Sequence, residues 1–195
     1  MIGNDYNIDN SGNNEGIIIG ENKGNVAISI QKAVRIPSLI ATIVKSLGGV
    51  CSDDEGRSDV PKEFKPDEKI TYNRVIKYRD IIKNFATFYN VCEEYLNAYD
   101  DSNIRGKAKI LNCVHLWYLD VKGDLLLENK DSGKSDIEII QENSDRLITN
   151  VRDKIYETVE KSQIVDEIYI EDMNLGVTCF TCYCFMKCKV LEKPL

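Results

Sequence analysis

The sequence has few of the residues on which catalytic and metal sites depend. It contains one histidine, His115, and one tryptophan among 195 residues. A Ser–His or Cys–His nucleophile would have to use His115. That residue lies between Val114 and Leu116 in an apolar helical pattern, without a signature for a nucleophile or an orienting acid. A histidine in the core or at its boundary is the favoured interpretation, and we expect a protein that is not an enzyme.

Long apolar runs and an excess of basic residues are also missing. No run of about 18 apolar residues occurs, so no transmembrane span is predicted. Residues 1–14 have neither a basic nor an apolar region of the signal-peptide kind. The net charge of −7 and pI near 4.9 argue against direct nucleic-acid binding, which needs a basic surface. Seven cysteines, an odd number, suit a reducing cytoplasm. No cofactor is predicted.

Four cysteines near the C-terminus, Cys179, Cys182, Cys184 and Cys188, raise the question of a zinc site, because Cys-x-x-Cys is a ligand spacing. On one helix Cys179 and Cys182 would lie roughly opposite Cys184 and Cys188, so four thiolates could not converge. Free cysteine is among the most frequently buried residue types. Core packing is therefore favoured, and no metal ligand is predicted.

Residues 1–35 are rich in asparagine and glycine, and they differ from everything that follows. Gly12, Gly16, Gly20 and Gly24 recur every four residues, and small or apolar residues alternate with polar ones at strand spacing. Such a tract is either a flexible leader or an assembly strand. Four strand glycines cost roughly 2–4 kcal/mol, which an isolated strand cannot offset but a stack of identical strands can.

We therefore predict a homo-oligomer formed through residues 10–30. The predicted assembly interface comprises Gly12, Gly16, Ile17, Ile18, Ile19, Gly20, Asn22, Gly24, Val26 and Ile28. The four residues from Ile17 to Gly20 resemble the core of RIP homotypic interaction motifs, which form amyloid signalling fibrils, although Ile18 stands where that core has glutamine. A fibril and a closed ring of few chains both fit this pattern.

Residues 36–50 are predicted to form a short amphipathic helix, with Pro37 in its first turn and Gly48-Gly49 at its end. Residues 51–68 are acidic, are interrupted by two prolines, and are predicted to be a solvated loop. The helix either packs on the rest of the protein or binds a membrane through the basic residues that flank its apolar face. Packing is favoured, because that basic face is small.

Residues 69–195 are predicted to be an antiparallel helical bundle of about four long helices, which makes the protein all-α apart from its β-prone leader. Apolar residues in steps of three and four predict one unbroken helix from about 69 to 99 and a second over 103–128. Ser135 and Glu138 form a capping box for a third helix. Residues 163–194 are apolar nearly all round, which predicts a central, covered helix.

Three runs carry a family resemblance: 72–78 (YNRVIKY), 123–129 (GDLLLEN) and 188–194 (CKVLEKP). In this order they resemble the C-terminal domains of bacterial ABC three-component systems, which are thought to defend against phages. The resemblance implies an adaptor that couples an effector to an ABC ATPase and a middle component, without catalytic residues in this domain. The usual effector domain is absent here. The alternatives are a cryptic hydrolase or nuclease, and a membrane-acting effector using residues 36–47.

Overall fold

The computed structural model describes residues 35–52 and 66–194, and every regular element in these two ranges is a helix. The elements are α1 (Leu39–Ser52), α2 (Pro66–Tyr72), α3 (Arg79–Phe85), a 3-10 turn (Ala86–Phe88), α4 (Tyr89–Ser102), α5 (Gly106–Glu128), α6 (Asp136–Glu142), α7 (Ser144–Glu160), a second 3-10 turn (Val165–Glu167) and α8 (Ile170–Met186). The predicted assembly residues, from Gly12 to Ile28, lie outside the described residues, as does most of the predicted acidic loop.

Helix α8 lies at the centre of the described residues, as its apolar pattern predicts. Every residue from Cys179 to Met186 is buried. Helices α1, α3, α4 and α7 all pack against it. A helix that is apolar on every side can be stable in water only when its neighbours cover every side.

The closest helix crossing joins α1 to α8 and depends on two glycines. A Cβ atom at Gly48 would overlap the backbone carbonyl of Asp172, and one at Gly176 would overlap that of Val44. The two backbones therefore meet directly, at a distance that no side chain allows. The prediction that Gly48-Gly49 ends the first helix is wrong, because α1 begins at Leu39 and continues through both glycines to Ser52.

The predicted unbroken helix from 69 to 99 is divided into α2, α3 and α4. Its apolar side chains are nevertheless inside, since Val75, Tyr78, Ile82 and Cys92 are buried. The break follows from a contact with a distant helix. The Asp145 carboxylate on α7 accepts hydrogen bonds from the backbone N–H groups of residues 76, 77 and 78, at 3.0–3.3 Å. These N–H groups are thereby satisfied without a continuous helix.

The remaining predicted helices also differ at their ends. The capping box of Ser135 and Glu138 is present, but Asn143 separates α6 from α7 where one helix was predicted. Helix α8 ends at Met186 rather than near Pro194, and Cys188 follows with a φ of 54°. The predicted apolar seam of α5 is wrong at its start, because Ile104 is 85% exposed and Ala108 is exposed.

Candidate functional site

The C-terminal segment 187–194 is held by two buried polar side chains, Lys69 of α2 and Asn73, which directly follows α2. Lys69 is 5% exposed, and its ammonium group donates to the backbone carbonyls of Phe185 (2.6 Å) and Val190 (2.7 Å). Asn73 is fully buried. Its side-chain amide donates to the carbonyl of Glu192 at 2.8 Å and accepts from the N–H of Glu192 at 3.1 Å. These contacts join the end of α2 to the last residues of α8 and to the segment that follows it.

Helix α5 holds the same segment from its other side. The Nδ1 atom of His115 lies 3.1 Å from the carbonyl oxygen of Lys189. Tyr118 donates its hydroxyl to the Glu192 carboxylate at 2.8 Å, and Lys122 donates to the same oxygen at 2.7 Å. We call Lys69, Asn73, His115, Tyr118 and Lys122 the C-terminal clasp. His115 is thus a half-buried structural residue at the boundary of the core.

Burial and charge act against each other in the clasp. Burial lowers the pKa of Lys69 to about 8, although the neighbouring Cys188 and Glu192 favour its charged form. Burial would raise the pKa of Glu192, but Lys122 and Tyr118 hold that pKa below its usual value. Burial and the Glu192 carboxylate raise the pKa of Tyr118. The hydrogen bonds and the ion pair of the clasp position the C-terminal segment against α2 and α5.

A second charged cluster links α4, α5 and the end of α8. The carboxylate of Glu93 forms ion pairs with Lys107 at the start of α5 and with Lys187 just after α8. Burial alone would raise the pKa of Glu93, but hydrogen bonds from the two lysines and from Tyr89 lower it to about 2. Lys187 also lies over the rings of Tyr89 and Tyr183, with centroid distances of 5.4 and 5.9 Å.

Three leucines of α5 face solvent. Leu116 is 64% exposed, Leu119 is 43% exposed and Leu127 is 67% exposed. At 100° per residue they share one arc of about 80° with three other exposed residues. We call this set the α5 outer face: Lys109, Asn112, Leu116, Leu119, Gly123 and Leu127. It is about 27 Å long. A run of exposed leucines along one face marks an interaction surface more often than scattered apolar residues do.

The C-terminal cysteines do not form a metal centre. Cys179 contacts Cys92 of α4, with 3.6 Å between their sulfurs, and Cys184 is buried in another part of the core. Cys188 was expected to lie within the helix, but it lies beyond the end of α8 and is exposed. Burial raises the pKa of Cys182 to about 12, which keeps its thiol protonated and a poor ligand. Across the described ranges no group of three His, Cys, Asp or Glu side chains is placed to hold a metal.

Sequence reasoning missed the clasp and the α5 outer face. Leu116, Leu119 and Leu127 lie outside the row of apolar residues that packs α5 on the core. Their position in the sequence could therefore have predicted an exposed apolar face. Lys69 and Asn73 gave no such signal, because a lysine and an asparagine near the start of a helix are ordinary surface residues. Their burial depends on the return of the C-terminal segment from more than 110 residues away.

No family model, curated protein or solved structure matches the chain. None of the described helices is both long and apolar enough to cross a membrane. The apolar residues of α1, including Ile40, Ile43, Val44 and Leu47, are buried. The apolar face that a membrane would need therefore lies inside the protein.

Two of the three runs that carry the family resemblance are in contact at the clasp. Asn73 of the first run binds the backbone of Glu192 in the third. Lys122, the residue just before the second run, binds the Glu192 side chain. Segments far apart in the sequence are thus joined through one glutamate.

Proposed function

We propose that this protein is a non-enzymatic assembly and adaptor component of a bacterial antiphage system of the ABC three-component kind. Its helical domain, as an antiparallel bundle, would engage the ABC ATPase and the middle component. The tract at residues 10–30 would join copies of the chain in the cytoplasm. The contact between Asn73 of the first resemblance run and Glu192 of the third is the observation that supports this proposal most.

The clasp supplies the physical basis for an adaptor role. It fixes the C-terminal end of the protein against α2 and α5 with buried hydrogen bonds, which gives a rigid surface of defined shape. Preorganised surfaces bind partners at a lower entropic cost than flexible ones do. The exposed α5 outer face adds an apolar surface to the same domain.

The test is reconstitution with an ABC ATPase and a middle component from the same genome. We expect the three proteins to co-purify as one complex in defined proportions. The Glu192→Lys variant should lose the complex, because it places a third cation beside Lys69 and Lys122. The exposed Lys193→Glu variant is the matched control and should retain the complex. A parent protein that binds neither the ABC ATPase nor the middle component would overturn the adaptor proposal.

An activity screen separates the adaptor from a hydrolase or nuclease. The purified chain is incubated with DNA, RNA and nucleotides, with and without divalent metal ions. We expect no turnover. Turnover that a single point variant abolishes would establish an enzyme instead.

The assembly part of the proposal has its own test. We expect the Ile18→Pro/Gly20→Pro variant to retain its helicity and to form smaller assemblies, because proline removes the backbone donors of a strand ladder. Light scattering at matched concentrations compares it with the parent. Equal masses would return the tract to the flexible-leader interpretation.

A further inference from the structure

We propose that the α5 outer face is a self-association surface, at which two copies of this chain pair with their α5 helices antiparallel. The first observation is the exposure of Leu116, Leu119 and Leu127 along one face. Single exposed leucines are common on soluble proteins, but a row of them that follows one helix is not. Burying such a row between two helices removes apolar surface from water on both copies.

The second observation is Gly123, which lies between Leu119 and Leu127 on this face. A glycine inside a helix makes that helix less stable than an alanine would. Gly48 and Gly176 are required where α1 and α8 touch, whereas at Gly123 no described atom beyond the adjacent residues and the backbone of α5 lies within 4 Å of a Cβ atom. Gly49 is equally open, but no exposed leucine accompanies it on α1. Gly123 thus leaves room among leucines for the close approach of another helix.

The third observation is the charge pattern, which identifies the occupant. Lys109 is exposed in the N-terminal half of α5, whereas Asp120 and Asp124 are exposed in its C-terminal half. Within the described part of the chain, Lys109 and Asp124 have no ion-pair partner. An antiparallel copy brings Lys109 near Asp124 of the second chain. Two-fold symmetry makes this pair twice. Parallel helices would instead align like charges.

The same charges disfavour a lipid surface as the occupant. Asp124, which has no ion-pair partner within the described ranges, would face anionic headgroups, which attract basic segments and repel acidic ones. The inference goes beyond the proposed adaptor function, because it concerns a second contact surface outside residues 10–30. Its outcome is independent of whether the N-terminal tract assembles.

The first test measures mass in the full chain carrying Ile18→Pro and Gly20→Pro, so that the tract adds no assembly. By sedimentation velocity we expect a dimer of 22.2-kDa chains, and a monomer after Leu116→Glu. The circular dichroism spectrum of the Leu116→Glu chain should match that of its background, which would show that the helices are intact. The control is Tyr169→Glu, which changes a residue that is 79% exposed elsewhere on the protein and should leave the dimer intact.

The second test exchanges the charges. In that same background, Lys109→Glu and Asp124→Lys should each raise the dimer Kd roughly tenfold, because each replaces two attractive pairs with two repulsive ones. The double variant Lys109→Glu/Asp124→Lys should restore the Kd of the background chain. A background chain that stays monomeric, a Leu116→Glu chain that stays dimeric, or a double variant as weak as the single variants would each overturn the proposal.

Discussion

Helices α8 and α5 are both rich in apolar residues, but the protein uses them in opposite ways. In α8 every residue from Cys179 to Met186 is buried by surrounding helices. In α5 one side packs on the core through residues such as Val114, Tyr118 and Leu125, and the other side exposes three leucines. The described chain covers one helix completely and leaves half of the other uncovered.

The difference shows that apolar content alone does not place a helix in the interior. Helix α8 is central because its glycine allows direct contact with α1 and because small residues such as Cys182 fit between its neighbours. Helix α5 carries polar residues such as Asp120 and Asp124 beside its leucines, and these would lose their hydration if another helix of the same chain covered that face. The apolar residues of α5 suit a surface that a separate chain covers.

The largest expected difference between the two helices comes from placing the same charge on each of them. Cys182 is 2% exposed, so Cys182→Asp buries a carboxylate without a partner. We expect a loss of about 3–5 kcal/mol, which is comparable to the whole stability of a small domain. Leu116→Asp should change the free energy of unfolding of the monomer by less than about 0.5 kcal/mol, since the site is exposed on a single chain. Chemical denaturation measures both, and similar losses would contradict the assignment of inside and outside.

The second prediction compares the glycines of the two helices. Gly176→Ala forces α8 away from the backbone of α1 and should cost about 3 kcal/mol or more. Gly123→Ala should raise the stability of the monomer by about 1 kcal/mol, because its Cβ atom meets nothing and alanine favours the helix. The two changes are chemically identical, so thermal melting of both variants reports the packing alone. Equal destabilisation of the two variants would show that α5 is covered within the chain.

The third prediction concerns Lys69, whose ammonium group donates hydrogen bonds at the end of α8 and in the segment after it. An unfolded lysine keeps its proton up to a pH of about 10.5, whereas Lys69 in the folded protein has a pKa of about 8. Between these values the unfolded state binds more protons, so this group makes the folded state more stable as pH rises. The gain from Lys69 is at most about 3 kcal/mol.

The Lys69→Met variant isolates that contribution. Tyrosines and thiols with raised pKa values act in the opposite direction at alkaline pH, and they are common to both proteins. Denaturant unfolding of parent and variant at several pH values between about 8 and 10.5 should therefore show the parent gaining stability relative to Lys69→Met. A stability difference between parent and variant that stays constant across this range would show that burial does not lower the pKa of Lys69.

The smallest expected effect concerns Glu93, which ties the start of α5 to the end of α8. Its pKa of about 2 in the folded protein lies below the ordinary value of 4.5. The stabilisation is therefore present above about 4.5 and is lost as pH falls towards about 2. Acid unfolding of Glu93→Gln should consequently depend less on pH in this range than that of the parent. Exposed Glu94→Gln is the neighbouring control and should follow the parent curve.

The sequence predicted which residues are inside better than it predicted where helices end. Steps of three and four residues correctly identified Val75, Tyr78, Ile82 and Cys92 as buried, because burial follows the period of the helix. The same pattern wrongly implied a continuous helix from 69 to 99. The sequence predicted less about the functional site. The predicted assembly residues lie outside the described structure, and the clasp was not predicted.

Local sequence by itself determined the helical class, the capping box at Ser135 and the central place of α8, because each depends on composition or on neighbours a few residues away. The tertiary structure decided the rest. The break before α3 depends on Asp145, whose carboxylate pairs with backbone N–H groups that a continuous helix would otherwise pair. The path of the segment after α8 depends on Lys69 and Asn73, which bind its backbone carbonyl groups. All three side chains come from distant parts of the chain, so no local pattern could predict these contacts.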